Sequence, residues 1–179
     1  MSEPTVTKGL LIVYTGDGKG KTTAALGQAL RAIGHGLQVL VIQFMKGDKN
    51  YGEVKAARDH LPALTIEQWG RTSFVSKERP EDEDIELAQQ ALARGVELAQ
   101  TGDYDMVILD EVNVAVDFNL VTVEEVLQAL DQFPENTHVV LTGRYAPPSF
   151  LERADLVSEV REVKHHYSAG IQAQPGIEF

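Results

Sequence analysis

The densest chemistry in the chain lies in Thr15-Gly16-Asp17-Gly18-Lys19-Gly20-Lys21-Thr22-Thr23. Glycines let successive backbone N–H groups wrap an anion, and a helix that follows adds unsatisfied amides and the positive end of its dipole. Lys21 supplies a point charge for phosphate oxygens, and Thr22 a hydroxyl suited to Mg²⁺. The common pattern has a glycine five residues before the Gly-Lys-Thr, but Thr15 stands there, so the loop starts at Gly16 and is one residue shorter. That shortening bears on how a nucleotide is oriented more than on whether phosphate binds. A second signal is Asp110-Glu111, directly after the apolar run Met106-Val107-Ile108-Leu109. Parallel sheets bind ligands outside the carboxyl ends of their strands. One acid there can hold Mg²⁺, directly or through water, while the other orients it. A solvated strand end is the plainer alternative, and the phosphate loop weighs against it.

Such residues work only if strands and helices bring them to one edge, and the chain alternates in that way. Leu10–Tyr14, Val39–Phe44, Leu64–Ile66, Met106–Leu109 and Val139–Leu141 are short apolar runs, as expected of strands buried on both faces. Helical patterns fall between them: Thr22–Ile33 stopped by Gly34-His35-Gly36, Glu53–His60, and Ile85, Ala88, Leu92, Val96 and Ala99 ending at Gly102. Pro80 reads as a first-turn proline, followed by the acidic run Glu81 to Asp84 at the positive helix end. Thr122 with Glu125 forms a capping-box signature ahead of a helix closed by Pro134. Trp69–Arg79 reads as a loop, Ser149–Ala154 as a short helix and Leu156–Val163 as a final strand. The expected fold is therefore α/β, a single domain over 1–179. It is a three-layer P-loop NTPase (RecA-like) sandwich on a mainly parallel sheet.

Composition narrows the function. The 179 residues carry 16 basic and 27 acidic side chains, a formal net charge of −11, which argues against nucleic acid or anionic membrane as a partner. There is no cysteine, which removes disulfides, thiolate metal sites and a cysteine nucleophile. Neither a leader-like apolar stretch nor a run of the roughly 20 residues that span a bilayer is present. The expectation is a soluble, cytoplasmic protein.

Beyond the loop and the acids, the chain contains Arg31-Ala32-Ile33-Gly34-His35-Gly36, Val41-Ile42-Gln43-Phe44-Met45-Lys46-Gly47, Leu141-Thr142-Gly143-Arg144 and Val163-Lys164-His165, then Ala169-Gly170 and Gly176-Ile177. In this combination, over nearly its whole length, the sequence resembles the P-loop class of ATP:corrinoid adenosyltransferases. The resemblance implies attack of a corrinoid Co(I) centre on C5′ of ATP with departure of triphosphate, so the nucleophile belongs to the substrate. It implies Mg²⁺ and ATP, a reduced corrinoid, an electron donor for cobalt and a homodimer. Gly16, Asp17, Gly18, Lys19, Gly20, Lys21, Thr22 and Thr23 would hold the triphosphate. Thr22 and Glu111 would ligate Mg²⁺ with Asp110 behind them, so that Lys21, Thr22 and Glu111 act on the reaction. Arg144, at the end of an apolar strand, is in reach of phosphate or ribose, or pairs with a surface acid. Arg31 sits about 15 Å along its helix, too far for phosphate.

On the corrin side the resemblance points to the loop after the Leu64 strand, where Phe74 matches an aromatic that holds off the lower cobalt ligand. A second aromatic of some members is Ser76 here, leaving Trp69 or Val75 to fill that role; Trp69 and Phe74 read equally as core residues pinning a loop. With about nine residues ahead of the first strand, the segment that covers the site in longer members is expected to be reduced or supplied differently. Lys46 and Lys49 are candidates for corrin carboxylates or phosphate, or are simply solvated. His165-His166 reads as a strand-end surface pair rather than a metal site. Two other functions fit the residues alone: a P-loop ATPase or small-molecule kinase, and a non-catalytic ATP-gated corrinoid carrier.

Overall fold

The structure, a computed structural model, describes residues 8–73 and 75–179. Six strands, β1 Leu11–Thr15, β2 Val39–Phe44, β3 Leu64–Trp69, β4 Met106–Asp110, β5 His138–Thr142 and β6 Leu156–Glu159, form one sheet in the order β3-β2-β4-β5-β1-β6. Every pairing is parallel. The helices are α1 Lys21–Ile33, α2 Gly52–His60, α3 Asp82–Gln100, α4 Val112–Asp117, α5 Val123–Leu130 and α6 Pro148–Arg153. A 3-10 turn follows at His166–Ala169.

The period of two along each strand sorts the core into two layers. Val39 and Val41 of β2, with Met106 and Ile108 of β4, face α1 and α2, where Ala25, Ala29 and Ala32 let α1 lie close to the sheet. Leu40, Ile42 and Phe44, with Val107 and Leu109, face the other way, against Ala88, Leu92 and Val96 of α3 and Val126 and Leu130 of α5. Both faces are covered, which is why the strands read as continuous apolar runs. This is the expected three-layer P-loop sandwich. In a parallel sheet all strands end at the same edge. Thr15, Phe44, Asp110 and Thr142 therefore arrive together, with β5 lying between the strand of the phosphate loop and the strand of the acids.

Local expectations hold in part. Thr122 accepts the Glu125 N–H at 3.1 Å while the Glu125 carboxylate accepts the Thr122 N–H at 2.6 Å, so the capping box is formed. Pro80 lies outside α3, which begins at Asp82 after Glu81. In the first turn of that helix the Asp84 carboxylate accepts the Glu81 N–H and takes Nε and Nη2 of Arg71, at 2.7 and 2.8 Å. The left-handed residue after α1 is Gly36, at φ 84°, whereas Gly34 is right-handed. Trp69 ends β3 instead of starting a loop, and β6 stops at Glu159. α4 was not expected, because six residues hold too few turns to show a period.

At the opposite edge, His138 Nδ1 accepts the Leu10 N–H at 3.1 Å, tying the start of β1 to β5. Burial pushes the ring below its usual 6.5, with Asp105 pulling the other way. The folded value lies under the unfolded one, so the native state binds fewer protons in that window, and stability present above about pH 6.5 is lost as pH falls through it. The urea midpoint of the wild type should therefore fall more steeply than that of His138→Gln between about pH 7 and about pH 5.5. Parallel curves would show that folding leaves the affinity of the ring for a proton unchanged.

Candidate functional site

The phosphate loop is squeezed between the cleft and the chain that follows β6. Gly18 donates its N–H to Val160 O at 2.8 Å. A Cβ on Gly18 would lie 2.7 Å from the Arg161 carbonyl carbon, and Gly16 has φ +99° against the Val160 backbone. These two glycines are thus required by close approach and conformation as well as by an anion. Lys21 is 7% exposed, and its ammonium donates to Gly16 O at 2.8 Å and Gly18 O at 2.7 Å, folded over its own loop. Burial lowers its pKa, Glu111 opposes that, and Arg144 adds to it.

Asp110 is the hub of the site. It is fully buried, and four donors converge on its carboxylate. Thr22 Oγ1 and Thr142 Oγ1 donate to Oδ1 at 2.8 and 2.7 Å. Lys46 Nζ and Gln43 Nε2 donate to Oδ2 at 2.7 and 3.2 Å. With its acceptor capacity taken up by protein donors, Asp110 is an anchor for the side chains around it. Glu111 follows in the left-handed region at φ 65°, its N–H held by Thr142 Oγ1 at 2.9 Å, and its side chain lines the cleft. Burial holds the Glu111 carboxyl above the usual carboxylate range and the Asp110 charge adds to this, while Lys46, Lys21 and Arg144 pull it down. A hydroxyl and an anion-crowded carboxylate are hard oxygen donors, and they fit Mg²⁺ completed by water.

These groups share a cleft of about 570 Å³ with Gly18, Lys19, Gly20, Thr23 and Arg144. Arg144 is exposed, and among the described residues it forms no ion pair. Asp17 is exposed and stands outside the cleft lining. Lys46 is also corrected: it is ion-paired to Asp110, its side chain 18% exposed, instead of solvated. Burial works against its charge, but the Asp110 charge and hydrogen bond prevail and raise its pKa.

The corrin candidates divide differently. Val75, one of the two alternatives for the second corrin contact, is 5% exposed and belongs to the core facing α3. Trp69 packs on the same core and donates Nε1 to Glu67 at 3.2 Å. Neither lines the 570 Å³ cleft, and Phe74 lies outside the described residues.

Four contributions were not legible as chemistry in the sequence. Thr142 and Gln43 hold Asp110; both stand in segments that carry the resemblance, but no role was read from them there. Glu53 lines the cleft and accepts from Gln43 at 3.1 Å. The tail forms a further wall: Glu178 lies 3.6 Å from Lys19, and the Phe179 ring stacks on Tyr51 with centroids 6.4 Å apart. His165 lines the cleft and stacks on His166, past the end of β6.

Residues 7–179 match the family described as ATP:corrinoid adenosyltransferase BtuR/CobO/CobP. A corrinoid adenosyltransferase of Escherichia coli (strain K12) is 39% identical over 172 residues, covering 96% of this chain and 86% of the relative. One from Sinorhizobium sp is 39% identical over 180 residues, covering 100% of this chain and 84% of the relative. Among solved structures, the RadB recombinase aligns with a TM-score of 0.56 at 14% identity, covering 88% of this chain and 77% of that one, a likeness of fold alone.

Proposed function

Since this chain belongs to the ATP:corrinoid adenosyltransferase family, and so is an enzyme that transfers the adenosyl group of ATP to a corrinoid, we propose how its own residues divide that work. In the reaction proposed, the Co(I) electron pair of the corrinoid attacks C5′ of ATP. The C5′–O bond breaks, its electron pair leaves with the triphosphate, and cobalt is formally oxidised to Co(III). No protein nucleophile is needed, so the chain's task is alignment and stabilisation of charge on the leaving group.

The loop amides of Gly16 to Thr23 and the Lys21 ammonium bind the triphosphate. On arrival, the anion draws Lys21 from the carbonyls of Gly16 and Gly18. Thr22 and Glu111 are the residues that would hold Mg²⁺, which supplies positive charge against the phosphate oxygens when bound. Asp110 orients Thr22 through their 2.8 Å hydrogen bond, and Arg144 reaches phosphate or ribose from the cleft mouth. The loop after β3 would face the corrin, and the family resemblance gives Phe74 the contact that holds off the lower cobalt ligand. The observation that carries this assignment is the division between the two acids: Asp110 is saturated by protein donors, while Glu111 is turned into the cleft beside Lys21 and Arg144.

A cytoplasmic homodimer, a single folded unit over 1–179 and a separate electron donor for cobalt complete the proposal. Among the described residues no helix is long and apolar enough to cross a membrane. The test is incubation with ATP, Mg²⁺ and chemically reduced cobalamin. The expected products are an adenosyl–cobalt bond, seen in the visible spectrum, and intact triphosphate, seen by ³¹P NMR. ADP and orthophosphate without a cobalt–carbon bond would return the kinase or ATPase reading. Binding of both substrates without turnover would return the carrier.

A further inference from the structure

At the end of β2 the chain passes through Met45 in the left-handed region, at φ 58°. Bulky non-glycine residues rarely take that conformation, and where they do it is held by the surroundings, often at functional sites. The same device recurs at Glu111 after β4 (φ 65°) and at Tyr145, next to Arg144, after β5 (φ 59°). Of the four non-glycine residues with positive φ among those described, three therefore stand just past the carboxyl ends of β2, β4 and β5. Each adjoins or is a residue whose side chain lines the cleft: Lys46, Glu111 and Arg144. Lys46 is thus delivered to the cleft by the same backbone feature as two residues assigned to nucleotide binding.

Its surroundings show what it is free to do. An ammonium has three N–H donors, and Asp110 Oδ2 takes one at 2.7 Å. Among the described residues the other two have no acceptor, and the side chain lines the cleft with Glu53 and Glu111. The backbone at Lys46 also abuts the start of the 70–79 loop, since a Cβ on Gly70 would collide with Lys46 N and with the Met45 backbone. Lys19 and Lys21 come from the phosphate loop after β1, two strands away from β4 in the sheet, whereas β2 is adjacent to β4 on its other side. Lys46 is therefore the cleft cation that borders the corrin-facing loop.

We propose that Lys46 is a catalytic residue of the adenosyl transfer, binding the triphosphate at its adenosine end, where the C5′–O bond breaks, with Asp110 as its anchor. This rests on the reading that the 70–79 loop faces the corrin, which puts C5′ and the adjoining phosphate on the Lys46 side. As the bond breaks, its electron pair goes to the bridging oxygen of the triphosphate, and an ammonium already fixed by Asp110 meets that charge with little reorganisation. No proton transfer is required, because triphosphate leaves as an anion.

The test compares Lys46→Met and Lys46→Arg with the wild type. Single-turnover transfer to chemically reduced cobalamin should fall by about 10²-fold in Lys46→Met, with a smaller change in KM for ATP. Calorimetric affinity for inorganic tripolyphosphate with Mg²⁺ should drop by about tenfold. Lys46→Arg keeps the charge and should recover most of both. In the unmodified protein, tripolyphosphate should slow acetylation of Lys46, read by mass spectrometry, and leave Lys49 and Lys55 unaffected. That measurement decides the contact if Lys46→Met does not fold. An unchanged transfer rate in Lys46→Met, unchanged tripolyphosphate affinity, or acetylation of Lys46 that tripolyphosphate does not slow would each overturn the proposal. If Lys46 is protected but the wild type makes no adenosyl–cobalt bond, the phosphate contact stands and the functional reading beneath it fails.

Discussion

Lys21→Ala should lower kcat/KM for ATP by about 10³-fold or more. Lys21 is the cation rising from the first residue of α1, and its ammonium lies 2.8 and 2.7 Å from the carbonyls of Gly16 and Gly18 in the loop it serves. Those carbonyls hold it in line for an anion in the same space. Alanine removes a charge that helps to bind the triphosphate and to stabilise its growing charge, so both KM and kcat should move. The fold should survive, because Gly18 lines the cleft, where water can replace the lost ammonium. A thermal unfolding curve near that of the wild type, with turnover lost, is the expected pair of results. Turnover at the wild-type rate would remove Lys21 from the site.

The largest stability effect should come from Asp110→Ala. Four donors lose their acceptor at once, and the Lys46 ammonium, 18% exposed, loses its only partner among the described residues. Breaking a buried ion pair from one side costs about 3–5 kcal/mol. For a chain of this length each kcal/mol corresponds to roughly 2–4 °C in Tm, so Tm should fall by roughly 6–20 °C. Activity should fall as well, since the Thr22 hydroxyl loses the group that aims it. The double variant Asp110→Asn with Lys46→Met removes both charges together and should be less unstable than the two single changes summed, as residues in one network are not additive. An unchanged Tm for Asp110→Ala would mean that the four hydrogen bonds do not hold the site.

Much of the architecture was legible because its signals are local. The apolar runs at β1, β2, β4 and β5 are buried from two sides, and their flanking helices carry the period and the caps that mark them. The corrin side was less legible. β3 is an edge strand whose Leu-Thr-Ile-Glu-Gln-Trp is only half-buried, so its polar residues masked its length and Trp69 read as loop. Val75 is a core residue inside a stretch without a period, and burial of one residue in a loop leaves no pattern. The tail that lines the cleft likewise has no regular element past the 3-10 turn. It is held by Lys19 and Tyr51, residues far from it in the chain.

By itself the sequence determined that a phosphate loop joins a buried strand to a helix and that two acids end another strand. Glycine spacing, apolar periodicity and residue type are properties of neighbours along the chain, and so is the family resemblance they carry. Which acid is anchored and which is free was decided only by the tertiary structure. The parallel register sets Gln43 of β2 opposite Asp110 of β4, while β5 brings Thr142 to its other side. Thr22 and Lys46 then converge on the same carboxylate from 88 and 64 positions away in the chain. Glu111, one residue later and left-handed, is left to face the cleft. A carboxylate's role depends on how many donors reach it, and those donors come from strands that only the folded sheet makes adjacent.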